Sequence, residues 1–258
     1  MDILTITILA GGLGKRMQSP LPKVLQCIKK EPMIVKIIKE AQKLNPIKIF
    51  IIVGKFKDII KTTIEQFINY DKLEYVIQDP PLGTGHAVLS SLNYLPNNNG
   101  INLILNGDTP LLTYQTLQDC IQNYINNKFQ LQITAIHAKN PKGCGRIILQ
   151  NDEFKEIREE KDCSELEKKI NLINCGIYLS EISLLKKYVP LIDNKNSQNE
   201  FYLTDLVDIY IKSTNNKVGL FVIDKEKEIE ISNVNTREDL DYLESILNNI
   251  LDHNLDGK

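Results

Sequence analysis

Apolar runs of strand length alternate with helical patterns along most of this chain, and that alternation constrains its fold more than any other feature. Ile3 to Leu9, Ile47 to Val53, Glu74 to Ile77, Ile101 to Leu105, Leu131 to Ile136, Ile173 to Leu179 and Val218 to Ile223 read as strands. Several are continuous apolar runs, as strands covered on both faces require. Helical patterns cover about Met33 to Leu44, Asp58 to Ile68, Thr84 to Tyr94, Thr113 to Asn126, Tyr202 to Ser213 and Thr236 to Leu251. Thr113 and Thr236 are suited to cap their helices. The alternation predicts an α/β fold, with a mostly parallel central sheet, helices on both faces and right-handed crossovers. In such sheets ligands bind beyond the carboxyl ends of the strands. The loop after Leu9, the segment after Ile77 and Asp108 then share one rim.

The first of these loops carries the strongest chemical signal. Residues 9 to 25 read Leu-Ala-Gly-Gly-Leu-Gly-Lys-Arg-Met-Gln-Ser-Pro-Leu-Pro-Lys-Val-Leu. Glycines at 11, 12 and 14 let peptide N–H groups approach an anion closely. Arg16 follows near the loop, and Lys23 lies beyond a Pro-x-Pro brace. Such a loop suits a nucleoside triphosphate. It is not a P-loop, because Leu9 stands where the first glycine belongs and Arg16 follows Lys15. It is not the dinucleotide fingerprint either, because Met17 occupies the third glycine's place.

Composition narrows the partners. The net charge of −2 over 258 residues points to no bulk binding of nucleic acid or acidic membrane. Cysteines at 27, 120, 144, 163 and 175 form no Cys-x-x-Cys pair, which predicts reduced thiols in a cytoplasmic setting rather than disulfides or zinc. The apolar N-terminal run is too short to span a membrane and holds two threonines. With histidines only at 86, 137 and 253, no Ser-His or Cys-His nucleophilic arrangement is legible.

The loop and a series of later segments resemble the signature of the sugar-1-phosphate nucleotidyltransferases. The likeness is strongest to the uridylyltransferase half of the bacterial bifunctional enzymes that make UDP-N-acetylglucosamine. It recurs, in the family's order, at Gln78 with Leu82 to Ala87, Gly107-Asp108, Gly143 to Ile147, Glu159 to Asp162, Ile173 to Ile177, Phe201 to Asp205 and Val234 to Arg237. It implies a Rossmann-like nucleotidyltransferase fold in one domain over 1–258, with a sugar-side lobe at about 139–195. The reaction implied is attack of a sugar-1-phosphate oxygen on the α-phosphorus of UTP, with release of pyrophosphate. Charge neutralisation and in-line positioning do the work there, and no protein nucleophile is needed.

The resemblance assigns roles residue by residue. Arg16 and Lys23 are the expected catalytic clamps on the triphosphate. Ala10, Gly11, Gly12, Gly14, Gln78, Gly83 and Thr84 are expected to bind the nucleotide, the amide of Gln78 reading a base edge. Gly145, Glu159 and Asn174 are expected on the sugar, with Thr204 and Asp205 in support. Asp108 and Asn235 are the expected ligands of Mg²⁺, whose preference for oxygen donors and retained waters suits a metal bridging phosphates. His86 reads as a packing residue of its helix.

UTP and N-acetylglucosamine-1-phosphate are thus the expected substrates. Another sugar-1-phosphate nucleotidyltransferase, using glucose-1-phosphate or dTTP, is the enzyme alternative that Gly11-Gly12 keeps open. A catalytically silent nucleotide-sugar binder is the non-enzyme alternative. No hexapeptide repeats follow the last helix, so the acetyltransferase β-helix of the bacterial enzymes, and trimerisation through it, are expected to be absent. A monomer or small homo-oligomer is expected, with a dimer favoured.

Overall fold

The computed structural model describes residues 3–255 apart from 13, 98, 99 and 152, with backbone alone at 15 and 250–255. In chain order the elements are β1 (Ile3–Leu9), a small hairpin of β2 (Cys27–Ile28) and β3 (Glu31–Pro32), α1 (Met33–Gln42), β4 (Lys48–Val53), α2 (Lys57–Phe67), β5 (Leu73–Ile77), α3 (Thr84–Ser91), β6 (Gly100–Asn106) and α4 (Tyr114–Asn126). There follow β7 (Leu131–His137), β8 (Arg146–Gln150), β9 (Glu153–Arg158), β10 (Leu172–Glu181), α5 (Ile182–Tyr188), α6 (Asp205–Thr214), β11 (Gly219–Ile223) and α7 (Arg237–Leu255).

The main sheet runs in the order β11-β7-β10-β6-β1-β4-β5. β1 pairs in parallel with both β4 and β6, β4 with β5, and β11 with β7. Only β10 runs antiparallel to its neighbours β6 and β7. The β8–β9 hairpin branches off β10 where Arg146 pairs with Ile173. The sheet is thus mostly parallel, as the alternation predicts.

Each buried strand feeds two cores because its side chains alternate between faces. From β4, Ile49, Ile51 and Val53 pack with Ile6 and Ile8 of β1 under α1, α2 and α4. The intervening Phe50 and Ile52 join Val88 of α3, Leu185 of α5 and Leu206 of α6 on the other face. A third, smaller cluster brings Met17, Ile28 and Met33 against Val234, Leu240 and Leu243. It fastens the start of α7 beside the glycine loop, although the two are more than 200 positions apart in the chain.

Thr113 caps α4, its side chain accepting from the Thr116 N–H. At α7, Thr236 Oγ1 accepts from the Asp239 N–H at 3.2 Å, and the Asp239 carboxylate takes the N–H groups of Asn235 and Thr236 at 2.8 and 2.9 Å. This reciprocal capping box satisfies several otherwise orphaned donors. The helix expected from Tyr202 begins instead at Asp205. Residues 201–203 are drawn away, because Leu203 N–H donates to Thr84 Oγ1 and Phe201 O accepts from Gly85 N–H. The hairpin β8–β9 falls where the sequence loosens into short strands and charged turns, whereas the helix α5 has no counterpart in the sequence-based reading.

Candidate active site

Strand pairing itself assembles the rim. At the end of β1, Ala10 N–H donates to Ile52 O and Leu9 O accepts from Gly107 N–H, at 2.9 and 3.0 Å. The glycine loop therefore leaves the sheet between the ends of β4 and β6. Gly14 adopts φ +58, and a Cβ there would lie 2.6 Å from Lys23 Cβ. Only glycine lets the loop turn against Lys23 so closely. A Cβ on Gly12 would meet open space, so that face of the loop is accessible.

The four residues expected to manage charge converge. Lys23 Nζ forms an ion pair with Asp108 and donates to Asn235 Oδ1 at 3.0 Å. Arg16 Nη2 donates to the same Asn235 oxygen, also at 3.0 Å. Behind them, Val234 N–H donates to Asp108 O at 2.9 Å and ties the turn after β6 to the entry of α7. Asp108 Oδ1 is buried and has no hydrogen-bond partner. Two cationic side chains thus meet two oxygen donors at the mouth of the parallel strands.

The donor set suits a hard divalent cation. Lys23 Nζ already holds a positive charge between the carboxylate and the amide oxygen, and the second carboxylate oxygen is buried and unpartnered. One carboxylate and one amide leave most coordination positions to water and phosphate, which matches Mg²⁺ chemistry. Among the described residues there is no group of three or more His, Cys, Asp or Glu side chains able to cage a metal by themselves.

On the base side, Gln78 is 4% exposed and lies just past β5, its N–H donating to Val53 O at 2.7 Å. Gln78 Nε2 donates to Gly83 O at 2.9 Å. A Cβ on Gly11 would sit 2.9 Å from Gln78 Oε1, which places that oxygen over the loop. Gly83 adopts φ +117 and lies so close to the Phe201 backbone that a Cβ would be 2.5 Å from its carbonyl oxygen. Thr84 spends its hydroxyl oxygen on Leu203 N–H. His86 lies in the first turn of α3 with Nδ1 3.3 Å from Gln78 Nε2.

The residues expected on the sugar form a second group along β8, β9 and β10. Asn174 N–H donates to Gly145 O at 2.9 Å, and Thr204 Oγ1 donates to Glu159 Oε1 at 3.1 Å. The Asn174 side chain donates to Tyr178 Oη at 2.7 Å and accepts from Gly176 N–H at 3.0 Å. These contacts span an irregularity in β10 between Asn174 and Tyr178. Gly176, at φ +72, would place a Cβ 2.1 Å from Asn106 Nδ2 at the end of β6. The sugar-side and charge-handling groups therefore flank the same strand end.

Burial and neighbouring carboxylates shape the electrostatics here. Burial pushes the Glu159 carboxyl up, with Asp162 and Glu200 adding to it against the Thr204 hydrogen bond. Burial, then Glu159 and other acids, raise Asp205 to about 6. Glu160 next door is held low. Burial opposes this, but the Arg146 hydrogen bond, the Gly143 N–H and nearby positive charge prevail. Arg146 is 1% exposed and pairs with Glu160 at 2.9 Å. Adjacent glutamates have different partners: Glu160 neutralises a buried guanidinium, and Glu159 takes the Thr204 hydroxyl. A cysteine nucleophile is disfavoured, since burial drives Cys120 to about 12 and Cys144 to about 11.

Three contributors have no assignment in the sequence-based reading: Asp239, Tyr178 and the buried role of Arg146. The Thr-x-x-Asp spacing at 236–239 is a legible capping signal. Tyr178 sits inside an apolar strand run, where nothing distinguishes it from packing. A cavity of about 390 Å³ between α2 and β5, lined by Lys57, Lys61, Glu65 and Tyr75, contains none of the expected site residues.

Residues 6–157 match the MobA-like NTP transferase domain. The chain belongs to this family. It is 52% identical over 244 residues to an Acanthamoeba polyphaga mimivirus protein named "Probable UDP-N-acetylglucosamine pyrophosphorylase", covering 94% of this chain and 96% of that one. It is 39% identical over 242 residues to "Bifunctional protein GlmU" of Acinetobacter baumannii strain AYE, covering 93% and 51% of the two chains. This NTP transferase thus spans about half the length of the bifunctional relatives it matches. Among solved structures it resembles UDP-glucose pyrophosphorylase complexed with UDP-glucose, at TM-score 0.73 and 16% identity over 96% of this chain and 99% of that one. It also resembles HddC from Yersinia pseudotuberculosis complexed with GMP-PN, at TM-score 0.65 and 21% identity over 96% and 100%. These structures share its fold, a Rossmann-like nucleotidyltransferase sheet. Among the described residues no helix is long and apolar enough to cross a membrane.

Proposed function

We propose that this NTP transferase moves UMP from UTP to N-acetylglucosamine-1-phosphate, giving UDP-N-acetylglucosamine and pyrophosphate. The observation that carries the reading is the meeting of Arg16, Lys23, Asp108 and Asn235 at one strand mouth. The near full-length relative named as a UDP-N-acetylglucosamine pyrophosphorylase supports the choice of sugar and nucleotide.

The reaction joins two polyanions, so the site must offset charge and hold the attacking oxygen in line. Arg16 grips phosphate oxygens with a two-pronged guanidinium, while Lys23 supplies a mobile point charge at the α-phosphate. Asp108 and Asn235 would hold Mg²⁺, which when bound would supply positive charge to offset that of the phosphates. Lys23 leaves its partners in the free chain for phosphate as substrate enters. The backbone of Ala10, Gly11, Gly12 and Gly14 lines the nucleotide, with Gln78, Gly83 and Thr84 at the base. Gly145, Glu159 and Asn174, on the 139–195 lobe, orient the sugar.

The sugar assignment is tested by comparing kcat/KM for N-acetylglucosamine-1-phosphate and glucose-1-phosphate with UTP saturating. A site that hydrogen-bonds the acetamido group rejects the analogue lacking it by about tenfold to 10⁴-fold, depending on its solvent access. Equal values would overturn the N-acetylglucosamine assignment and leave nucleotidyl transfer standing.

A further inference from the structure

We propose that Arg146 and Glu160 are positioning residues for the sugar phosphate, their ion pair holding Gly145, Glu159 and Asn174 at the spacing the sugar requires. The proposal rests on the sugar-1-phosphate reading above and adds to it the pair that keeps those three together.

The pair sits at the node from which all three extend. β8 begins at Arg146, which pairs with Ile173 of β10 on one side and Arg158 of β9 on the other. Gly145 precedes Arg146, Asn174 follows Ile173, and Glu159 follows Arg158. Each residue expected on the sugar thus lies one position beyond the last rung at Arg146. On the β10 side the Asn174 N–H still reaches Gly145 O. On the β9 side, among the described residues, the hydrogen bonds that join the two chain ends past that rung run through Glu160. Its Oε2 takes the Gly143 N–H and, at 2.9 Å, Arg146 Nη2.

Arg146 is anchored on its other sides as well. Nη1 donates to Cys144 O, and Nη2 also reaches Lys168 O at 3.3 Å. The side chain is enclosed, and its Nε is buried without a partner. An enclosed ion pair adds little net stability over apolar side chains of the same volume, and an unpaired N–H adds a further cost. Placement is then what the pair contributes. A planar guanidinium holds the 143–144 turn, Glu160 and the chain at Lys168 in one geometry.

That geometry reaches the sugar residues directly. A Cβ on Gly145 would lie 3.5 Å from Glu159 Oε1, so the two chain ends pass in van der Waals contact. Glu159 is extended, and neighbouring side chains on extended backbone point opposite ways. With Glu160 turned onto Arg146, the Glu159 carboxylate is left to face Thr204.

Steady-state kinetics test this on wild type, Glu160→Ala, Glu160→Gln and the double variant Arg146→Met/Glu160→Ala. Glu160→Ala strands a buried guanidinium, whereas the double variant removes the stranded charge together with the clamp. With UTP saturating, KM for N-acetylglucosamine-1-phosphate should rise about tenfold in both, the effect of one lost charge-assisted hydrogen bond. Glu160→Gln keeps an acceptor for both donors and should stay within about threefold of wild type. With the sugar phosphate saturating, KM for UTP should stay within about twofold of wild type throughout, because the pair lies on the sugar side alone. Glu160→Asp, one methylene short of its donors, replaces the Ala variants if neither folds, and should also raise KM for the sugar phosphate. An unchanged KM for the sugar phosphate in the double variant or in Glu160→Asp, or an equal rise in both KM values, would overturn the positioning role and leave the sugar-1-phosphate reading intact. A wild-type enzyme that does not turn over N-acetylglucosamine-1-phosphate would overturn both.

Discussion

Lys23 and Asn235, 212 positions apart in the chain, meet with Nζ 3.0 Å from Oδ1, while the same ammonium pairs with Asp108. The lysine thus stands between the two residues proposed to hold the metal, and bound substrate must draw it toward phosphate. Lys23→Ala should cut kcat by about 10²–10³, as loss of a preorganised charge contact does. Its thermal stability should change little, because the two side chains, each 15% exposed, meet at the rim and belong to none of the apolar clusters. A large fall in Tm with unchanged specific activity would assign Lys23 to structure instead.

Asn235 owes its place to Asp239, whose carboxylate receives the N–H groups of Asn235 and Thr236. Asp239→Ala should cost about 1 kcal/mol of stability, as loss of a cap does. It should also raise the Mg²⁺ concentration needed for half-maximal activity, because Asn235 loses its anchor. A magnesium titration superimposable on wild type would show that Asn235 is oriented by other contacts.

The rim was readable from sequence because it is made of strand ends, and uninterrupted apolar runs such as Ile101 to Leu105 mark where strands stop. Asp108 follows one such run at once, and Arg16 and Lys23 follow another. What brings Asn235 to them is less legible. It depends on Met17 and Met33 packing against Val234 and Leu240, a contact between distant segments that leaves no periodic trace. Arg146 was hidden for a related reason. It occupies the first position of a short strand, and only the fold reveals that it is enclosed and needs Glu160. The apolar spacing from Tyr202 fits a helix, whereas the backbone groups of Phe201 and Leu203 bond to the α3 entry and the helix begins at Asp205. Long-range hydrogen bonds overrode local pattern there.

Asp205 gives a pH test of the sugar side. Its folded value, about 6, lies above the ordinary aspartate value near 3.9, because burial first and then Glu159 disfavour the charge. A raised carboxyl contributes stability that is fully present below the unfolded value and is lost as pH rises through the folded one. Ionised Asp205 therefore burdens the fold at pH 8 and not at pH 4. Asp205→Asn should raise Tm relative to wild type at pH 8, with the difference shrinking at pH 4. A difference of the same size at both pH values would contradict this placement of the charge.

Pyrophosphate release is the most direct test of the proposed chemistry. Purified enzyme is mixed with UTP and N-acetylglucosamine-1-phosphate, with Mg²⁺ and then with excess chelator, in parallel with Asp108→Asn. The arrangement of Lys23, Arg16, Asp108 and Asn235 predicts stoichiometric pyrophosphate and UDP-N-acetylglucosamine from wild type with Mg²⁺. It predicts loss of most activity under chelation, and in Asp108→Asn, whose neutral amide binds Mg²⁺ far less well than a carboxylate. Full turnover by Asp108→Asn at the same magnesium concentration, or no pyrophosphate from wild type, would contradict it.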